Sequence, residues 1–231
     1  MRLFSAVLAV AASLVFTGSV QAAQLFQATF TGTVVPGGFD FDNRFGFGTG
    51  FSALDLRAFS LVVIYDPTLG NARTTATFED RRGGTTVGPN VDSPVLSAAL
   101  TILGGNTVTL IPDQFGQIRS VTNNGFSVKV QDLNADGGPL YDDLAITASY
   151  PASGHLNSTL ALTNVTGGAN LMLFNNGAQR GSVVMQLGTA KYEILNTAGV
   201  PEPTSWALMI VGLGGVGAAL RGRRRESAVA A

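Results

Sequence analysis

The residues best suited to bind a metal ion lie in one short polar segment. Asp132, Asn134 and Asp136 occupy alternate positions, Gly137 follows, and Asp143 is the twelfth residue counted from Asp132. Oxygen ligands at the first, third and fifth positions can converge on one hard cation, and the glycine permits the sharp bend. The spacing therefore indicates a calcium site. A polar hairpin connection is the alternative, because strands rather than helices flank the segment and Asp143 is shorter than the usual glutamate.

The sequence offers few residues that suit catalysis. The chain has no cysteine, which excludes a disulfide framework, a thiolate metal site and a cysteine nucleophile, and His155 is the only histidine. No serine lies in a nucleophile motif. Two carboxylates could still meet as a glycosidase pair, since such a pair is defined by its separation in space. We therefore expect a protein that is not an enzyme, with a secreted carbohydrate-active enzyme or a calcium-dependent lectin as the alternative.

The distribution of charge argues against a nucleic-acid partner. Charged residues make up 13% of the chain, and between the two ends carboxylates outnumber basic side chains. Binding to nucleic acid depends on Lys and Arg side chains that neutralise phosphates. We expect no nucleic-acid binding.

The central part of the chain has the two-residue period of half-buried strands. Apolar side chains recur at alternate positions in five runs: Phe26, Ala28, Phe30; Phe59, Leu61, Val63, Tyr65; Leu96, Ala98, Leu100, Ile102; Phe126, Val128, Val130; and Leu144, Ile146, Ala148, Tyr150. Turn sequences rich in Asn and Gly separate such runs. No stretch has the stripe and caps of an amphipathic helix. Residues 24–199 are therefore predicted to form an all-β domain, an antiparallel β-sandwich or jelly roll.

The N-terminal residues have the pattern of a secretory signal peptide. Arg2 precedes an apolar run over residues 3–16, and small residues follow it up to Ala22 and Ala23. The run is too short and too rich in alanine to favour a permanent membrane span. We predict a signal-peptide helix over residues 1–23, with cleavage at Ala22 or Ala23.

The C-terminal residues predict a short transmembrane helix. Residues 206–220 are uncharged and would span roughly 22 Å as a helix, with Trp206 at the membrane interface. A basic cluster follows, which places the C-terminus in the cytoplasm by the positive-inside rule. The cluster comprises Arg221, Arg223, Arg224 and Arg225. Residues 226–231 would form a short cytoplasmic tail.

A proline-rich motif precedes the predicted helix. Pro201 and Pro203 flank Glu202 and keep the backbone extended, because proline disfavours helix and cannot donate to a sheet. The order Pro-Glu-Pro, two residues, Trp206-Ala207, an apolar helix rich in glycine and an arginine cluster resembles the PEP-CTERM sorting signal in its PEPxxWA variety. The resemblance covers residues 200–225.

The resemblance implies an exosortase as the main partner. This enzyme is a membrane peptidase or transpeptidase of Gram-negative bacteria, and Pro201, Glu202 and Pro203 would be the motif it recognises. Its substrates are associated with exopolysaccharide and biofilm matrix. Similar tails also occur on some ice-binding proteins, but this sequence lacks the repeated Thr-x-Thr ranks of a flat ice-binding face.

The two ends of the chain predict its route of export, and the central domain predicts its role after export. Export machinery would deliver the chain to the inner membrane, where the C-terminal helix holds the precursor, and processing would then release it to the cell surface or the extracellular matrix. We expect a non-enzymatic structural or polysaccharide-binding β module. Calcium is the one cofactor that the residues suggest.

Overall fold

The alternating apolar runs form antiparallel strands in the computed structural model. It describes residues 24–121, 125–133, 141–149, 156, 159–175 and 178–195, which belong to one compact unit, Gln24–Leu195. The strands are β1 (Leu25–Val34), β2 (Phe39–Asp40), β3 (Gly50–Phe51), β4 (Ala58–Tyr65), β5 (Asn71–Thr74), β6 (Phe78–Gly83), β7 (Val95–Ile102), β8 (Thr107–Leu110), β9 (Phe115–Val121), β10 (Gly125–Leu133), β11 (Tyr141–Ser149), β12 (Leu160–Thr163), β13 (Thr166–Asn175) and β14 (Ala178–Leu195).

The strands form one sheet, in the order β5-β6-β9-β10-β11-β13-β14-β1-β4-β7-β8, with β12 and β2 paired to β14 and β3 paired to β2. This sheet curls back on itself. The ring of Phe126 on β10 lies 6.3 Å from that of Phe30 on β1 and 5.7 Å from that of Tyr65 on β4, although these strands are far apart in the sheet order. The prediction of an all-β, antiparallel fold is confirmed. The helices predicted at the two ends lie outside the described residues.

The two faces of the curled sheet differ in burial as the two-residue period requires. On β1, Phe26, Ala28 and Phe30 are buried, and the residues between them are partly exposed. Leu96 departs from the predicted pattern, because its side chain is 36% exposed. Ile64 is opposite Ser97 and Tyr65 is opposite Val95, so Leu96 is an extra residue in β7 and forms a β-bulge. The bulge turns Leu96 away from the core.

Glycines permit two of the tight turns between strands. Gly104, in the turn between β7 and β8, has φ 86°, and Gly125, at the start of β10, has φ 103°. Both values lie in the region that side chains disfavour. A Cβ at Gly125 would also collide with the carbonyl group of Ala148 on β11. Glycine at position 125 is therefore required both by the backbone conformation and by the close approach of the next strand.

The segment from β2 to β4 contributes to the core and ties together distant parts of the sheet. Its residues Phe45 and Leu54 are fully buried in the hydrophobic core. The Phe45 amide donates to Asp40 Oδ2 (2.9 Å), and the Phe45 carbonyl accepts from the amide of Asn106 in the β7–β8 turn (2.8 Å). Arg44 reaches Asp142 on β11 (2.6 Å). We call residues 41–49 the anchored loop.

Replacing Phe45 with alanine should destabilise the protein by about 3–5 kcal/mol, because the change leaves a cavity in the core and detaches the anchored loop. Phe51→Ala makes the same chemical change at a side chain that is 69% exposed and should cost less than about 1 kcal/mol. Urea unfolding of the mature protein, followed by circular dichroism, measures both. Equal effects of the two substitutions would contradict the assigned role of Phe45.

Candidate functional site

The hairpin of β10 and β11 carries two of the predicted calcium ligands. Asp132 is opposite Asp142, and Gln131 is opposite Asp143. Opposite residues of an antiparallel pair share a face, and successive residues alternate between faces. Asp132 and Asp143 therefore lie on opposite faces of the sheet.

Each of these two carboxylates has protein partners of its own. Asp132 Oδ2 accepts from the amide of Ile111 (2.9 Å), whereas Asp143 Oδ2 accepts from Gln131 Nε2 (3.0 Å) and lies 3.5 Å from Lys129 Nζ. In the part of the chain that the structure describes, no group of three or more Asp, Glu or His residues could hold a metal ion. The other two predicted ligands, Asn134 and Asp136, lie outside it, so the calcium site stays a prediction.

A cluster of carboxylates anchors the end of the β10–β11 hairpin. Asp142 is almost fully buried, and it accepts from Arg44 Nη1 (2.6 Å) and from the amide of Phe174 (2.8 Å). Asp113 Oδ1 accepts from the amide of Leu133 (2.8 Å). Together with the bond from Ile111 to Asp132, these contacts satisfy backbone donors where strands end. These carboxylates therefore stabilise the ends of the strands.

Burial raises the pKa of Asp132 above the ordinary value of 3.8. The hydrogen bond from the amide of Ile111 opposes this effect, because it favours the charged form. Asp113 and Asp142 raise the pKa further by repulsion, and Arg44 lowers it. Asp132 thus keeps its proton to a higher pH in the folded protein than in the unfolded chain.

The phenylalanines of the glycine-rich segment separate into two groups. Phe45 is buried, and Phe47 packs against the core with the guanidinium of Arg57 3.8 Å from its ring centroid. Phe39, Phe41 and Phe51 instead lie together at the surface, with ring centroids 5.0, 5.5 and 5.2 Å apart. We call these three residues the aromatic face. The strand pairing explains why the three rings meet. Phe39 is directly opposite Phe51, and Phe41 lies two residues after Phe39, so all three side chains share one face.

A group of three bonded polar side chains reaches the aromatic face through Arg180. Arg180 Cζ lies 5.6 Å from the centroid of the Phe41 ring. Arg180 Nε donates to Asp42 Oδ1 (3.0 Å), and Asn175 Nδ2 donates to Asp42 Oδ2 (3.1 Å). We call Asp42, Asn175 and Arg180 the polar rim. Aromatic rings beside a carboxylate, an amide and a guanidinium suit a ligand with one apolar and one hydroxylated side.

The alternating phenylalanines of this surface are visible in the sequence, but most of its polar rim is not. Asn175 and Arg180 are 133 and 138 residues from Asp42 along the chain. β2 brings them together by pairing with β14, with Asp40 opposite Gly181. A two-residue strand gives no periodic signal, so this pairing could not be read from the sequence.

The residues predicted for sorting and cleavage lie outside the described residues: Ala22, Ala23, Pro201, Glu202, Pro203, Trp206, Ala207, Arg221, Arg223, Arg224 and Arg225. The family model of the PEP-CTERM protein-sorting motif matches residues 199–225. A search of the curated proteins and a search of the solved structures gave no match. Within the described ranges, no helix is long and apolar enough to cross a membrane.

An all-β domain followed by a matched sorting motif defines a class: exported proteins that are processed at a membrane and delivered to the cell envelope. Within that class, this chain is a PEP-CTERM domain-containing protein, and its motif implies processing of the tail by an exosortase.

Asp132→Asn should stabilise the protein at pH 7 and have little effect near pH 3. A raised carboxyl pKa contributes stability at low pH, and this contribution is lost as the pH rises through the folded-state value. Asparagine keeps an acceptor for the Ile111 amide and carries no charge at any pH. Melting temperatures measured from pH 3 to pH 7 test this, and a variant that is less stable than the wild type at pH 7 would contradict it.

Proposed function

We propose that the protein is a non-enzymatic component of the envelope or extracellular matrix of a Gram-negative bacterium, and that its β domain binds or stiffens polysaccharide. The observation that carries this proposal is the sorting motif at residues 199–225. A tail of this kind commits the chain to export and processing at the membrane. The precursor stays in the inner membrane until exosortase acts, and the processed domain then functions at the cell surface.

The contacts of the buried carboxylates support a role without catalysis. Asp66 accepts from the amide and the hydroxyl of Thr68, and Asp80 accepts from Gln117 Nε2. Asp142 is held by Arg44 and Phe174, as described above. Each of these groups stabilises a turn or a strand pair, whereas a general acid or base needs a carboxyl group that faces a substrate. The contacts of these three carboxylates thus favour the structural or binding role over the carbohydrate-active enzyme.

The double substitution Pro201→Ala and Pro203→Ala should leave the precursor unprocessed in the inner membrane, because the extended motif that exosortase recognises is lost. Intact mass spectrometry of membrane and surface fractions from the producing bacterium measures the outcome. The wild-type protein should start near Gln24 and end near Pro201–Pro203.

Pro36→Ala is the matched control, since Pro36 is an exposed turn residue of the β domain and lies outside the motif. This variant should mature as the wild type does. Normal maturation of the double variant, or wild-type surface protein that retains residues 206–225, would refute the sorting mechanism.

A further inference from the structure

We propose that the aromatic face and its polar rim form a binding site for the sugar rings of a polysaccharide. This inference rests on the proposed function and names the surface that performs it. The six residues are Phe39, Phe41, Phe51, Asp42, Asn175 and Arg180.

The aromatic half offers an exposed stacking surface. The Phe51 side chain is 69% exposed, although it touches two other rings. Phe39 and Phe41 are half-buried. Pairing with β14 and β3 fixes the backbone of Phe39, and the Phe41 amide donates to the carbonyl of Arg180 (2.8 Å). A pyranose ring has an apolar face of C–H groups, and such a face packs well on an aromatic ring that is already held in place.

The polar half supplies hydrogen-bonding groups in fixed orientations. The Asp42 side chain is 23% exposed and is held by both Arg180 and Asn175. A carboxylate accepts hydrogen bonds from sugar hydroxyls, while an amide and a guanidinium also donate. Because Arg180 and Asp42 pair at 3.0 Å, the rim is balanced in charge. That balance fits a neutral, hydroxyl-rich ligand better than a strongly charged one.

The size of the surface also favours a glycan over a protein partner. A stable protein interface buries about 800 Å² on each side. Three phenylalanines, of which two are half-buried, offer only a few hundred Å², which is the scale of the largest apolar patches on ordinary proteins. A few sugar units of a chain would cover such an area, and repeated units along a polymer would add affinity through many copies of a weak contact.

The test uses mature protein recovered from the producing bacterium and two probes. The first probe is soluble exopolysaccharide isolated from the same bacterium, and the second is vesicles of phosphatidylethanolamine and phosphatidylglycerol. Co-sedimentation with each probe gives an apparent affinity. The variants are Phe51→Ala, which removes an exposed ring, and Asp42→Asn, which removes the carboxylate charge from the rim.

Two matched controls make the same chemical changes elsewhere. Phe78→Ala removes a partly exposed ring on β6, which contacts Arg73 and Arg119. Asp92→Asn removes an exposed carboxylate in the connection between β6 and β7. Unchanged melting temperatures show that a variant is folded.

We expect Phe51→Ala and Asp42→Asn each to weaken polysaccharide binding at least tenfold, and both controls to bind as the wild type does. Wild-type binding that all four variants retain would overturn the site and leave the proposed function standing. Absence of wild-type binding to the polysaccharide would overturn both. Binding to vesicles that depends on Phe51 would assign the aromatic face to a lipid surface and refute the glycan site.

Discussion

The structure depends on anchoring one glycine-rich loop to a curled sheet. The inner face of the sheet is apolar, and Phe45 completes it from a loop that has no regular pairing of its own. The loop keeps its position because Asp40 and Asn106 bond the backbone of Phe45, while Arg44 bonds Asp142. Burying a carboxylate such as Asp40 costs free energy, and Asp40 Oδ1 has no hydrogen-bond partner in the described part of the chain. Burial of the Phe45 ring offsets that cost.

The same anchor also positions the candidate binding surface. Asp40 points into the interior, whereas its neighbours Phe39 and Phe41 form part of the aromatic face, as the alternation of a strand requires. The bond from Asp40 to Phe45 and the orientation of the two rings are therefore properties of one short stretch of backbone. A substitution that frees the anchored loop would disturb the surface even if no surface residue changed.

Part of the fold and of the candidate site could be predicted from the sequence. Features that depend on local order could be predicted, and features that depend on pairing between distant residues could not. The two-residue period of Phe59 to Tyr65 predicts a strand because burial of one face is a local property of the sequence. The outward turn of Leu96 depends on a bulge opposite Ile64 and Tyr65, and the polar rim depends on pairing across more than 130 residues. Neither leaves a local signal. The sorting motif at residues 199–225 is readable because it is a linear order of residue types, which the sequence shows directly.

The aromatic face and the two ends of the described unit lie at opposite ends of β14. Leu25 and Leu195 are directly opposite each other in β1 and β14, so the described unit begins and ends at one place. The face lies beside Ser182, thirteen residues before Leu195 on the same strand, or roughly 40 Å at about 3.3 Å per residue. The sorting motif follows Leu195 in the sequence. The aromatic face and the two ends of the described unit are therefore separated along most of β14, so a ligand at the face need not contact residues near Leu195.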